Sequence, residues 1–143
     1  MIKYIQGDLL QTDAPLILHQ VNLQGVMGGG LAYSIAQKYP SVERKYRYFC
    51  GELGDVLFCR TKDFVVGNCY SQNEDFTTNY DALAECFLEV REYMVRRRIS
   101  TVALPYKYGC GIARGDWATV EDIITKVLDA FDDLNVLIYK LGD

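Results

Sequence analysis

The most constraining stretch of this chain is its passage from a buried strand into a helix through three successive glycines, Gly28, Gly29 and Gly30. Leu16-Ile17-Leu18 opens an apolar run that reads as a strand to Val21. Leu31, Ile35 and Tyr39 then recur at helical spacing until Pro40 ends the pattern. Bare main chain between the two elements lets a ligand approach the backbone closely. A helix starting there adds unpaired N–H groups and the positive end of its dipole, which together suit an anion, phosphate above all. A flexible turn is the plain alternative, so the case depends on what else lands beside the glycines.

Those neighbours can be read in order. Ile2-Lys3-Tyr4-Ile5 alternates as a first strand before Gly7-Asp8. Beyond Pro40, Ser41 is expected to cap a second amphipathic helix over residues 42–50. Residues 55–59 and 64–70 read as strands joined by a turn around Thr61-Lys62-Asp63. The polar stretch 71–79 has no period and reads as a loop of the kind that carries function. Leu83, Phe87, Val90 and Met94 mark a helix over residues 80–97, and residues 101–104 form a strand ended by Pro105. A second glycine-rich loop, from Tyr108 to Trp117, leads into a helix reaching about Phe131, and residues 135–141 close the chain as a strand.

This alternation predicts one α/β domain over residues 1–143, with a central mixed, mostly parallel sheet covered by helices in a three-layer α/β/α arrangement. In such sheets ligands sit outside the carboxyl ends of the strands. Both glycine loops, the His19–Asn22 segment and the loop beginning at Asn68 are all expected at those ends.

Composition removes several other classes. The formal charge of −4 argues against a basic nucleic-acid-binding surface, so no strong nucleic-acid partner is expected. Any anionic ligand must then be met mainly by backbone N–H groups rather than by a lysine-rich cleft. The one basic cluster, Arg96-Arg97-Arg98, is expected to complement the dipole at a helix end. No segment is apolar enough to cross a bilayer, and the opening MIKYIQGDLL does not read as a signal peptide. Five cysteines without metal-ligand spacing, beside a single histidine, read as reduced thiols in a cytoplasmic protein with no metal site and no cofactor. A monomer is expected.

Three features in order, Gly7-Asp8-Leu9 after the first strand, Asn22 before the triple-glycine junction, and Gly109-Cys110-Gly111-Ile112 after a later strand, resemble the macro domain family, the ADP-ribose-binding fold. The resemblance covers nearly the whole chain. His19-x-x-Asn22, Gly28-Gly29-Gly30-Leu31-Ala32-Tyr33, Tyr39-Pro40, Gly115-Asp116-Trp117 and the ending Val136-x-x-Tyr139 are most similar to its ADP-ribose-1″-phosphate phosphatase branch, of yeast and phage type. The ligand implied is ADP-ribose or its 1″-phosphate.

Site residues follow from that resemblance. It implies that Gly7, Asp8 and Leu9 bind the ligand, that Asp8 accepts a hydrogen bond from the adenine amine, and that Tyr139 stacks on the ring. It implies that Gly28, Gly29, Gly30 and Leu31 cradle the diphosphate from one side and Gly109, Cys110, Gly111 and Ile112 from the other. Tyr108 and Ile112 would be apolar walls, Asn22 would bond the distal ribose, and the loop from Asn68 would close over it. For each a structural role stays open: a cap or turn for Asp8, core for Tyr139, Tyr108 and Ile112, a helix C-cap for the second loop, an Asx turn for Asn22.

The catalytic set expected is His19, Asn22 and Asp116. His19 is the one side chain that ordinarily titrates near neutrality, and at a strand's carboxyl end it could serve as general acid or base; a satisfied core histidine is the alternative. Asp116 is the second acid or base, with a helix cap as its competing role. A reader of ADP-ribose without chemistry, and a hydrolase that removes ADP-ribose from protein or nucleic acid, are the other functions considered. Against the last, the loop after the fourth strand lacks the lysine of the glutamate-linked glycohydrolases, and Ala113 stands where their aspartate is expected.

Overall fold

The computed structural model describes residues 1–110, 113–130 and 133–142. Its centre is set by the two most apolar strands, β2 (Leu16–Val21) and β4 (Val65–Tyr70), which run parallel in full register. All six residues of β4 are buried, as a strand covered on both faces requires. Around this pair the sheet grows to six strands among the described residues, with β1 (Ile2–Gln6), β3 (Val56–Arg60), β5 (Thr101–Pro105) and β6 (Asn135–Lys140) in the order β1-β6-β5-β2-β4-β3. Every neighbouring pair is parallel except β3 with β4. The expected mixed, mostly parallel sheet is therefore present.

Helices cover both faces. The apolar residues of α3 (Tyr80–Arg97) at Leu83, Phe87, Val90 and Met94 pack with Leu16, Leu18, Val136 and Ile138 on one side. That side also takes α4 (Trp117–Ile123) through Val120. On the other, α1 (Gly30–Lys38) and α2 (Pro40–Phe49) bury Ile35, Val42 and Tyr46 against Ile17, Val21 and Val66. Because strand side chains alternate between faces, this assigns odd positions of β2 to the α1–α2 layer.

Boundaries differ from expectation in three places. Pro40 is the first residue of α2 as well as the stop for α1, because its missing N–H costs nothing in a first turn. Tyr39, not Ser41, is the cap residue between the two helices. The last helix changes at Ile124 to a π-helical turn, Ile124–Leu128. There the Thr125 hydroxyl donates to the Glu121 carbonyl at 3.0 Å, a competitor for the regular ladder. Arg96 pairs with Glu89 and Glu92 at the end of α3, and Arg97 lies over the Tyr93 ring, so the basic cluster serves its own helix.

Candidate functional site

The carboxyl ends of β1, β6 and β5 open into a cleft of about 740 Å³. Its floor begins at β1, which stops at Gly7 because the chain turns into a 3₁₀ turn, Leu9–Gln11. Asp8 caps that turn, one carboxylate oxygen accepting from the Leu10 N–H at 2.9 Å. Asp8 is exposed and lines the cleft together with Gly7 and the buried Leu9. Tyr139 rises beside them from β6, its hydroxyl donating to Thr12 Oγ1 at 2.8 Å. This bond fixes the far end of a ring that lines the cleft.

The first turn of α1 closes the same cleft through Gly30, Leu31 and Ser34. Gly29 occupies the cap position, so no side chain bonds the turn's N–H groups. Gly30 has φ +56°, the left-handed backbone that glycine adopts without a Cβ clash. Gly28 and Gly29 are exposed on the approach to this turn but do not line the cleft.

The second glycine loop leaves β5, and β5 pairs with β2 in parallel at Ile17 and Ala103, so both loops stand at one edge of the sheet. Gly109 has φ +72°, and a Cβ there would lie 2.9 Å from Thr78 Oγ1. The Gly109 carbonyl accepts from that hydroxyl at 2.6 Å and from the Gly115 N–H at 2.8 Å. Gln20 donates to Thr78 Oγ1 and to the Ser71 carbonyl, each at 3.2 Å, and so ties the 71–79 loop to the same place. Cys110 is half-buried in this loop; Gly111 and Ile112 lie outside the described residues.

Four expected site residues are elsewhere. His19 is not at the strand end but beside Asn68, in the interior register of β2 and β4, and is 2% exposed. Its Nε2 is 2.6 Å from Asn68 Oδ1. The Asn68 amide donates to the Leu57 carbonyl at 2.8 Å, which turns its oxygen toward His19 and makes Nε2 the protonated nitrogen. Nδ1 is buried with no partner among the described residues. Burial disfavours the charged ring and lowers its pKa to about 4, against the smaller opposing effect of the Asn68 bond. His19 is thus a neutral core residue, and Asn68 is its partner rather than part of a lid.

Tyr108 is buried in the α3–α4 core, its ring edge-on to Phe87 with centroids 5.6 Å apart, and is not a cleft wall. Asp116 caps α4, accepting from the Thr119 N–H at 3.1 Å and the Thr119 hydroxyl at 2.8 Å. Asn22 does stand at the end of β2, but its side chain shapes the following loop. Its oxygen accepts from the N–H groups of Gln24 (3.1 Å) and Val26 (3.3 Å), its amide donates to the Val26 carbonyl (2.8 Å), and Tyr46 donates to it (2.5 Å).

The sequence reading missed part of the cleft wall, Tyr106, Lys107 and Lys140. Two lysines thus stand in the cleft beside the main-chain donors expected to meet an anion. The only signal was position: Tyr106-Lys107 follow the proline ending β5, and Lys140 follows Tyr139. No group of three or more metal-ligating side chains is present among the described residues, and all five cysteines are free thiols. No helix among the described residues is long and apolar enough to cross a membrane.

Sheet, layers and cleft together define a three-layer α/β domain with a binding cleft at the carboxyl edge of its strands. No family model matches the chain. An ADP-ribose 1″-phosphate phosphatase of Lodderomyces elongisporus is 28% identical over 162 residues, which span 98% of each chain. A DNA ADP-ribosyl glycohydrolase of Mycobacterium tuberculosis is 29% identical over 97% of this chain but only 42% of its own length. The DarG macrodomain of Mycobacterium tuberculosis superposes with a TM-score of 0.88 at 24% identity over 97% of both chains. The chain has the fold of the macro domains.

Proposed function

We propose that the cleft binds ADP-ribose and that the chain hydrolyses ADP-ribose 1″-phosphate to ADP-ribose and phosphate. The observation that carries this reading is one cleft holding an exposed carboxylate (Asp8), an aromatic face (Tyr139) and an uncapped helix start (Gly30 and Leu31). Asp8 keeps one oxygen beyond its bond to Leu10, and it accepts from the adenine amine, a donor that guanine replaces with a carbonyl. Tyr139 stacks on the ring. The first N–H groups of α1 take the diphosphate, with the loop from Gly109 on its other side. The full-length likeness to a phosphatase of this name supports the choice of substrate.

In the reaction, water attacks the terminal phosphorus, the bond from phosphorus to the anomeric oxygen breaks, and that oxygen takes up a proton as phosphate leaves. His19 is sealed in the core and the Asp116 carboxylate caps a helix, so neither is assigned the proton. The rate then rests on main-chain donors that hold the phosphate and meet its charge. Calorimetry with ADP-ribose and phosphate release from ADP-ribose 1″-phosphate test this, with Gly30→Val as the variant that blocks the helix start. Failure to bind ADP-ribose overturns the whole reading. Binding without any phosphate release selects a second one, capture without turnover, which the burial of His19 favours.

The free thiols fit a reducing compartment, so a cytoplasmic monomer is the form proposed. Removal of ADP-ribose from DNA, suggested by the mycobacterial relative's name, has less support here because residues 71–79 carry no lysine and Ala113 carries no carboxylate.

A further inference from the structure

The wall of the cleft opposite Tyr139 carries charge that the proposed function leaves unused. Tyr139 and Lys140 are successive strand residues, so they leave β6 on opposite faces. Tyr139 packs with the α1–α2 core, and Lys140 turns to the other side, where its Nζ lies 5.2 Å from the centre of the Tyr106 ring. Lys107 Nζ lies 5.7 Å from that same ring centre. All three residues line the cleft. Neither ammonium has a carboxylate within ion-pair distance among the described residues.

This wall is firmly built. The Tyr106 N–H donates to the Tyr139 carbonyl at 2.8 Å, and its ring packs edge-on to Tyr4 and Trp117 with centroids 6.3 and 5.1 Å away. Lys107 has φ +58°, a left-handed backbone that a side chain seldom adopts. The turn around it is closed by Tyr108 N–H to the Pro105 carbonyl (3.2 Å) and Cys110 N–H to the Lys107 carbonyl (2.9 Å). An aromatic face attracts an ammonium without neutralising it, so both charges stay available to a ligand. In a chain of net charge −4, the cleft wall is thus a local reversal of sign.

We propose that Lys107 and Lys140, poised on the Tyr106 ring, form a phosphate-binding pair on the adenosine side of the cleft that selects phosphorylated adenine nucleotides. The pair deepens the ADP-ribose reading and rests on Asp8 and Tyr139 as the adenine site. The phosphate has two possible sources, the ligand's own diphosphate or an added 2′-phosphate on the adenosine ribose.

The experiment titrates the full chain and its Lys107→Met, Lys140→Met and doubly substituted forms with ADP-ribose and with ADP-ribose 2′-phosphate, at about 20 mM and about 300 mM salt. Methionine keeps side-chain length and removes charge, and thermal unfolding confirms that these exposed changes leave the fold intact. The expected result is an affinity loss of about tenfold in the double variant at low salt, shrinking at high salt as the wild-type advantage is screened. Equal loss for both ligands assigns the diphosphate; loss confined to the 2′-phosphorylated ligand assigns the ribose phosphate. Wild-type affinity and salt dependence in the double variant, for both ligands, overturn the pair while leaving the ADP-ribose reading standing. A wild-type chain that binds neither ligand overturns both.

Discussion

The two halves of the sheet's carboxyl edge treat their polar groups in opposite ways. Beyond β1 and β6, Asp8 has one oxygen uncommitted, Tyr139 lines the cleft, and the first turn of α1 has no capping side chain. Around β2 and β4, Asn22 makes four hydrogen bonds within the protein, Asn68 holds His19 and the Leu57 carbonyl, and Thr78 bridges Gln20 to Gly109. A group whose partners are already inside the fold sets shape; a group with bonding capacity left over can recognise a ligand. The first half is therefore expected to govern affinity, and the second to govern stability and loop position.

The largest expected effect is at the seam between the halves. Gly109→Val places a branched side chain at φ +72° and within 2.9 Å of the Thr78 hydroxyl, and ADP-ribose binding should drop out of calorimetric range while cooperative unfolding persists. Retained binding would mean that this loop does not touch the ligand.

Next comes the buried histidine. With a folded pKa of about 4 and an ordinary value of 6.5, His19 takes up its proton more readily in the unfolded chain. Its contribution is fully present above pH 6.5 and is lost as pH falls toward 4, about 3 kcal/mol in all. Urea unfolding across that window should show the loss in wild type and not in His19→Leu, although the substitution lowers stability at neutral pH by orphaning Asn68 Oδ1. Equal pH slopes in the two proteins would return His19 to a solvated, chemically available position.

Asp8→Ala should weaken ADP-ribose binding by tenfold or more, on the order expected for one charge-assisted bond, with little change in the unfolding midpoint. The converse pattern, lower stability with unchanged affinity, would reduce Asp8 to a cap. Smallest is Thr78→Val, which removes the bridge between Gln20 and Gly109 and should cost about 1 kcal/mol of stability with only a few-fold change in affinity. A large affinity loss there would move Thr78 into the recognising half.

The elements most legible in the chain were those with an unbroken period. Leu16–Val21 and Tyr80–Arg97 run between the limits that their apolar residues suggest, the latter helped by Asn79, which caps α3 by accepting from the Ala82 N–H. Depth along a strand was not legible. His19 precedes Asn22 by three residues, but Gln20 and Val21 still belong to β2, so His19 remains among the paired rows. Asp8 and Asp116 show why caps and ligands are hard to separate from sequence. Both cap a turn by the same geometry, and only the cleft beside Asp8 tells them apart. Lys107 and Lys140 carried no pattern, because they meet at the Tyr106 ring only through the pairing of β5 with β6, which are far apart in sequence.

Tyr39 closes α1 and opens α2, and its hydroxyl donates to Asp63 in the β3–β4 turn at 2.6 Å. Its ring also rests edge-on against Phe64, 5.4 Å between centroids. The far end of α1 is thereby moored to the hairpin, and a stiff nine-residue rod carries that mooring to the glycines at its other end. The helix whose first turn meets a nucleotide is thus anchored at its far end to the hairpin on the opposite shore of the domain, in part through one surface aspartate.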